Sequence, residues 1–129
     1  MVITKSIKTK ISTVFLREDG ILQLNIDPDN EFTLFDFNEL VAAAKVFGNG
    51  QKFLNLVIVG KNTLADHASR VASCSKEGSI YKLADAFVIS SLAQKIIANF
   101  YMKVNKPFVP TKFFNNESDA INWLKELKK

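Results

Sequence analysis

The apolar rhythm of this chain changes once, and the change limits the folds open to it. Residues 7–16, IKTKISTVFL, alternate, with Ile7, Thr9, Ile11, Thr13 and Phe15 sharing one face. Residues 21–27, ILQLNID, alternate again, with Leu22, Leu24 and Ile26 opposite Gln23 and Asn25. Further along, FLNLVIV (53–59) and ADAFVI (84–89) are nearly unbroken apolar runs. Alternation suits strands with one covered face, whereas unbroken runs suit parallel strands buried on both. Gly20, in the REDG that joins the first two segments, can supply the positive φ of a tight turn. An antiparallel hairpin should therefore lead into parallel strands.

Helical periodicity fills the gaps between the later strands. FNELVAAAKVF (37–47) places Phe37, Leu40, Val41, Ala44 and Phe47 on one stripe. Asp36 reads as its N-cap, Glu39 as the partner in a capping box, Phe35 as a staple to Leu40, and Gly48 as the stop. A second helix reads as opened by Thr63, with Asp66 three residues on and Leu64, Ala68, Val71 and Ala72 inward. A third begins near Leu92 and carries Ile96, Ile97, Phe100, Tyr101 and Val104, ending before Pro107. FVPTKFF (108–114) reads as a strand that Pro110 assigns to an edge or a strand start. NESDAINWLKELKK closes the chain as a capped helix with Ala120, Ile121, Trp123, Leu124 and Leu127 inward.

The order is ββαβαβαβα, a single α/β domain over residues 1–129 with a mixed, mostly parallel sheet and packed helices. A length of 129 residues suffices for one core, and eleven phenylalanines help to fill it. The net charge of +4 comes from the second half, where residues 65–129 hold ten Lys/Arg against six Asp/Glu. These lysines are scattered, and the terminal KELKK complements a helix dipole, so nucleic acid is not an expected partner. Cys74 is the lone cysteine, the start MVITKSIKTK carries no signal-peptide core, and no apolar run approaches membrane-spanning length. A cytoplasmic protein is expected.

The block SSLAQKIIANFYMKVNKPFVPTKFFNNESDAINWL (90–124) supplies small residues opening a helix, an N-F pair, N-K-P, an F-x-P-T-x-F-F strand and A-I-x-W-L. With the element order, this series resembles the STAS fold of sulphate transporters and anti-sigma-factor antagonists, and in particular the SpoIIAA-like proteins. The resemblance implies a regulatory or protein-interaction module without enzymatic activity, working through a protein partner or as a homodimer. Its alternative is a carrier of a small apolar or anionic, lipid-like ligand. In STAS regulators the hydroxyl that becomes phosphorylated lies within D-S-S/T-G-L, at the start of the helix after the strand that corresponds to 53–59. Here Thr63 is the only hydroxyl at that junction and the motif is missing.

The residues themselves point to no chemistry. Ser90 and Ser91 lack the flanking glycines of a nucleophile elbow, and S-x-x-Q makes Ser91 and Gln94 a capping box. His67 is the sole histidine and reads as structural, Cys74 as a small filler, so no metal centre is expected. GNG (48–50) and GKNT (60–63) fit neither a Walker nor a dinucleotide frame, and no cofactor is expected. The strand-to-helix loops remain the places where a ligand or a switch would act, through Lys61, Asn62, Thr63, Ser90 and Ser91.

Overall fold

A computed structural model of the chain describes residues 5–128. Residues 1–4 of the stretch read above for a signal peptide, and Lys129 of KELKK, lie outside the described residues. The alternating start divides into β1 (Ser6–Lys8) and β2 (Ser12–Leu16), paired antiparallel, and β2 pairs antiparallel with β3 (Leu22–Ile26). A single strand over 7–16 is thus corrected to a tight hairpin. Its turn is made by hydroxyls: Thr9 Oγ1 and Ser12 Oγ are hydrogen-bonded, and Ser12 N–H donates to Thr9 Oγ1 at 3.0 Å. The next turn follows the expected chemistry, with Gly20 at φ 84° and its N–H donating to Arg17 O. Burial alone would raise the pKa of Asp19 in that turn. Hydrogen bonds from Arg17 and Ile21, with the charges of Arg17 and Lys125, outweigh it and hold the carboxyl below its ordinary 3.8.

β5 (Phe53–Val59), β7 (Lys82–Val88) and β8 (Thr111–Phe114) add in parallel, giving the order β1-β2-β3-β5-β7-β8. The two unbroken apolar runs lie inside the sheet, and the strand that follows Pro110 lies at its edge. A second, two-stranded parallel sheet is formed by β4 (Glu31–Phe32) and β6 (Leu64–Ala65) in the loops after β3 and β5.

Alternate residues of the central strands serve two cores. Leu22, Leu24, Ile26, Phe53 and Val57 pack with α1 (Leu34–Gly48) on one face. Ile21, Leu56, Ala84 and Ala86 pack with Ala120 and Leu124 of α4 (Glu117–Lys128) on the other. The first face is shared by α2 (His67–Cys74) and α3 (Leu92–Phe100).

Helix starts differ from the sequence reading because earlier capping residues win. Asp36 is the third residue of α1, and its Oδ2 accepts both the N–H and the O–H of Thr33, each at 2.9 Å. Glu39 instead accepts the N–H of Lys10 at 3.1 Å. α2 is capped by Asp66, whose Oδ1 accepts Ser69 N–H at 2.8 Å, so Thr63 is not its cap and Leu64 precedes it. Its buried residue is Ser69, with Ala68 and Val71 exposed.

α3 also turns a different face inward from the one its periodicity suggests. Gln94, Ala98 and Tyr101 are buried, whereas Ile96, Phe100 and Val104 are exposed. After Phe100 the helix widens into a π turn (Tyr101–Asn105), closed by Lys106 N–H donating to Tyr101 O at 2.9 Å. In α4, Ala120 and Leu124 are inward as expected, Ile121 and Trp123 are partly covered, and Leu127 is exposed.

Candidate functional site

Gln94 explains why α3 is turned as it is. Its Oε1 accepts the N–H groups of Ser90 at 2.9 Å and Ser91 at 3.3 Å, while its own N–H donates to Ser91 Oγ at 3.1 Å. Its amide Nε2 donates to Gly60 O at 2.8 Å and Thr63 O at 2.9 Å. One buried side chain therefore completes the capping box and ties the β5 loop to the start of α3. With Gln94 held to that loop, Ala98 and Tyr101 follow it toward the sheet at helical spacing.

This clamp joins the two loops that carry the sequence candidates. Thr63 is buried, its hydroxyl donating to Asp27 O and accepting the N–H of Asn30 at 3.2 Å. Asn62 is exposed at φ 69° and donates to Asp29 Oδ1 at 3.0 Å. Lys61 is exposed, and its carbonyl accepts Asp29 N–H. Ser90 is exposed, and Ser91 caps α3. Loss of an N-cap hydroxyl costs about 1 kcal/mol. Ser91→Ala is expected to lower stability by that amount in urea denaturation; no change would mean that Gln94 alone holds the helix start.

Behind the clamp lies a cavity of about 140 Å³ between the sheet and α1, α2 and α3. Its walls are almost wholly apolar, with Leu24, Phe37, Leu40, Val57, Phe87 and Ile97 among them. Thr63 and Gln94 line it at the carboxyl ends of the strands, the usual ligand end of a parallel sheet.

A polar network reaches the same cavity from below. Asn55 and Asp85 are register partners on β5 and β7, and Asn55 Nδ2 donates to Asp85 Oδ1 at 2.9 Å. Asp85 Oδ2 pairs with Lys82 Nζ at 2.8 Å, deep in the protein. Lys82 Nζ also donates to Ser73 O at 2.9 Å and Ser73 Oγ at 3.0 Å, and Tyr101 O–H reaches Ser73 Oγ at 2.9 Å. Burial, then the charge of Asp85, pushes the Tyr101 hydroxyl above its ordinary 10.0, which keeps it a neutral donor. Its ring meets Phe87 and Phe113 edge-on, while those two stack at 4.8 Å between centroids.

None of Asn55, Ser73, Lys82 and Asp85 was singled out from the sequence. Asn55 and Asp85 did leave a trace, as single polar residues inside otherwise apolar strands. His67 opens α2 on the surface, and Cys74 ends that helix, with Sγ–H donating to Val71 O at 3.2 Å. Among the described residues no group of three or more His, Cys, Asp or Glu is placed to hold a metal ion. Among them, too, no helix is long and apolar enough to cross a membrane.

Known proteins agree with this architecture. A solved structure from Shewanella loihica PV-4, an uncharacterized DUF3478-family protein with a SpoIIAA-like fold, superposes with a TM-score of 0.53 at 16% identity. The match covers 93% of this chain and 90% of that one, and it shows the fold alone. No curated protein matches the chain. The SpoIIAA-like fold is thereby established, and a family model described as "Domain of unknown function (DUF7793)" matches residues 15–128, so the chain belongs to that family.

Proposed function

We propose that the domain is a non-enzymatic regulatory module of the cytoplasm that docks a protein partner on α3. The observation that carries this reading is an exposed apolar stripe at four-residue spacing. Leu92 is 74% exposed, Ile96 60%, Phe100 44% and Val104 59%. Their side chains cover nothing within the domain to that extent, and contiguous apolar surface of this kind marks a contact site.

Charge selects the partner. Residues 86–116 contain no Asp or Glu, and Lys95, Lys103 and Lys106 lie exposed on and just beyond the helix. The Arg70 guanidinium sits 5.5 Å over the Phe100 ring. An amphipathic helix with acidic flanks satisfies both the stripe and the charges. A lipid-like carrier ranks lower, since about 140 Å³ is under half of the roughly 300 Å³ at which ordinary ligand pockets begin.

A photoreactive amino acid at Ile96, with Ser118 of α4 as control, tests the reading in cells. The expected adduct is a peptide with apolar residues at three- or four-residue spacing and net negative charge, seen at Ile96 only and lost at high salt. Adducts to lipid, to a second copy of this chain, or equally at both positions would overturn it.

A further inference from the structure

Polar side chains stand around the cavity, yet their hydrogen-bonding groups are turned into the protein. The Thr63 hydroxyl donates to Asp27 O and accepts from Asn30 N–H. Gln94 commits both ends of its amide to the backbone of Ser90, Ser91, Gly60 and Thr63. The Ser69 hydroxyl donates to the carbonyls of Phe32 and Asp66. Lys82 Nζ serves Asp85 Oδ2, Ser73 O and Ser73 Oγ, and Tyr101 O–H donates to Ser73 Oγ. Asn55 Oδ1 and Arg70 Nε lack a partner, but the atoms around them seal both, so neither offers a guest a bond.

What the walls present is therefore hydrocarbon, with Leu24, Leu40, Val57 and Ile97 beside the rings of Phe37 and Phe87. A cavity of about 140 Å³ is close to the roughly 150 Å³ that admits benzene when its walls are Leu, Ile and Phe. Water needs roughly two to four hydrogen-bond partners to occupy such a space, and it competes poorly with an apolar guest where these are taken. An anion would lie beside the Asp85 carboxylate, and Lys82 has no spare donor to offset it. A cation would find that carboxylate already paired with Lys82. Both charges would lose their hydration for nothing in return.

We infer that this cavity binds an uncharged, apolar compound of single-ring size, held by packing alone and without a hydrogen bond. Ile97 and Ala98 line it from α3, whereas Leu92, Ile96 and Val104 of the exposed stripe do not. Arg70 belongs to both surroundings, since it lines the cavity and its guanidinium sits over Phe100. The inference does not rest on a partner docked to α3, because the walls and their hydrogen bonds all lie within the domain.

Backbone amide NMR of the full chain, titrated with toluene, phenol, benzoate and dodecanoate, tests the inference. Toluene is expected to shift the amides of Val57, Phe87 and Ala98 saturably. Phenol is of similar size but carries a hydroxyl that must leave water without a partner, so it should bind at least tenfold more weakly. Benzoate and dodecanoate should give no saturable shift at these amides. Ala98→Phe fills the cavity from α3 and should abolish the toluene response. Should that variant fail to fold, Ala98→Leu adds fewer atoms and should weaken toluene binding at least tenfold. Phenol weaker than toluene by less than tenfold would reveal a free polar partner and overturn the inference. So would saturable shifts of Val57 and Ala98 by either anion, or toluene shifts confined to Leu92, Ile96 and Val104. A folded variant that keeps toluene affinity within tenfold of the parent, or no saturable toluene binding at all, would also overturn it.

Discussion

Lys82→Met is expected to destabilise the domain by about 3–5 kcal/mol, the usual cost of stripping one partner from a buried ion pair. Lys82 Nζ places all three of its donors, on Asp85 Oδ2, Ser73 O and Ser73 Oγ. Methionine follows the lysine stem as far as Cε but supplies no ammonium, leaving the buried Asp85 carboxylate with the single bond from Asn55. Whole domains are stable by only about 5–15 kcal/mol, so a loss of this size is a large share of the total. Urea denaturation followed by the fluorescence of Trp123, partly buried against the α4 core, reads it directly. Lys82→Met combined with Asp85→Leu should cost less than Lys82→Met alone, because no charge is then stranded. A single variant within about 1 kcal/mol of the parent would show that the pair is already hydrated.

Gly60→Ala should be nearly as damaging for a steric reason. A Cβ at residue 60 would lie 2.5 Å from both Asp27 C and Ile26 O, which are backbone atoms that cannot rotate away. Glycine is needed here for close approach of two chain segments. Forced overpacking costs up to about 3 kcal/mol, and a Tm lower by about 10 °C is expected for a domain of this size. Because Gly60 O also accepts from Gln94 Nε2, amide exchange should quicken at the start of α3 as well as in the loop. Unchanged melting would mean that the β3 and β5 ends separate easily, contrary to their packing here.

How legible these features were depended on whether their cause is local. The parallel strands announce themselves because burial on both faces demands an apolar residue at nearly every position of FLNLVIV and ADAFVI. The S-x-x-Q box at Ser91 is equally local, and the structure forms it as spaced. The first hairpin was hidden because its turn holds neither glycine nor proline: Thr9 and Ser12 make it with hydroxyls, and the alternation runs straight through. Two helix starts were misplaced because several capping residues stand close together, and the choice of Thr33 and Asp66 depends on where β4 and β6 end. The network of Asn55, Ser73, Lys82, Asp85 and Tyr101 is tertiary. It requires the β5–β7 register and the approach of α2 and the π turn, which no local pattern states.

The π turn after α3 has a consequence for the angle at which a partner helix would lie. In a regular α-helix, positions four apart drift by roughly 40° around the axis at each step, so Leu92, Ile96 and Phe100 form an oblique ridge. Two such ridges interdigitate when the helices cross at about −50°. A π turn takes more residues per revolution, so the step from Phe100 to Val104 drifts less and brings Val104 back toward the line of the helix axis. The ridge straightens toward its carboxyl end, and a helix seated along all four residues would cross α3 at a shallower angle than two regular helices choose.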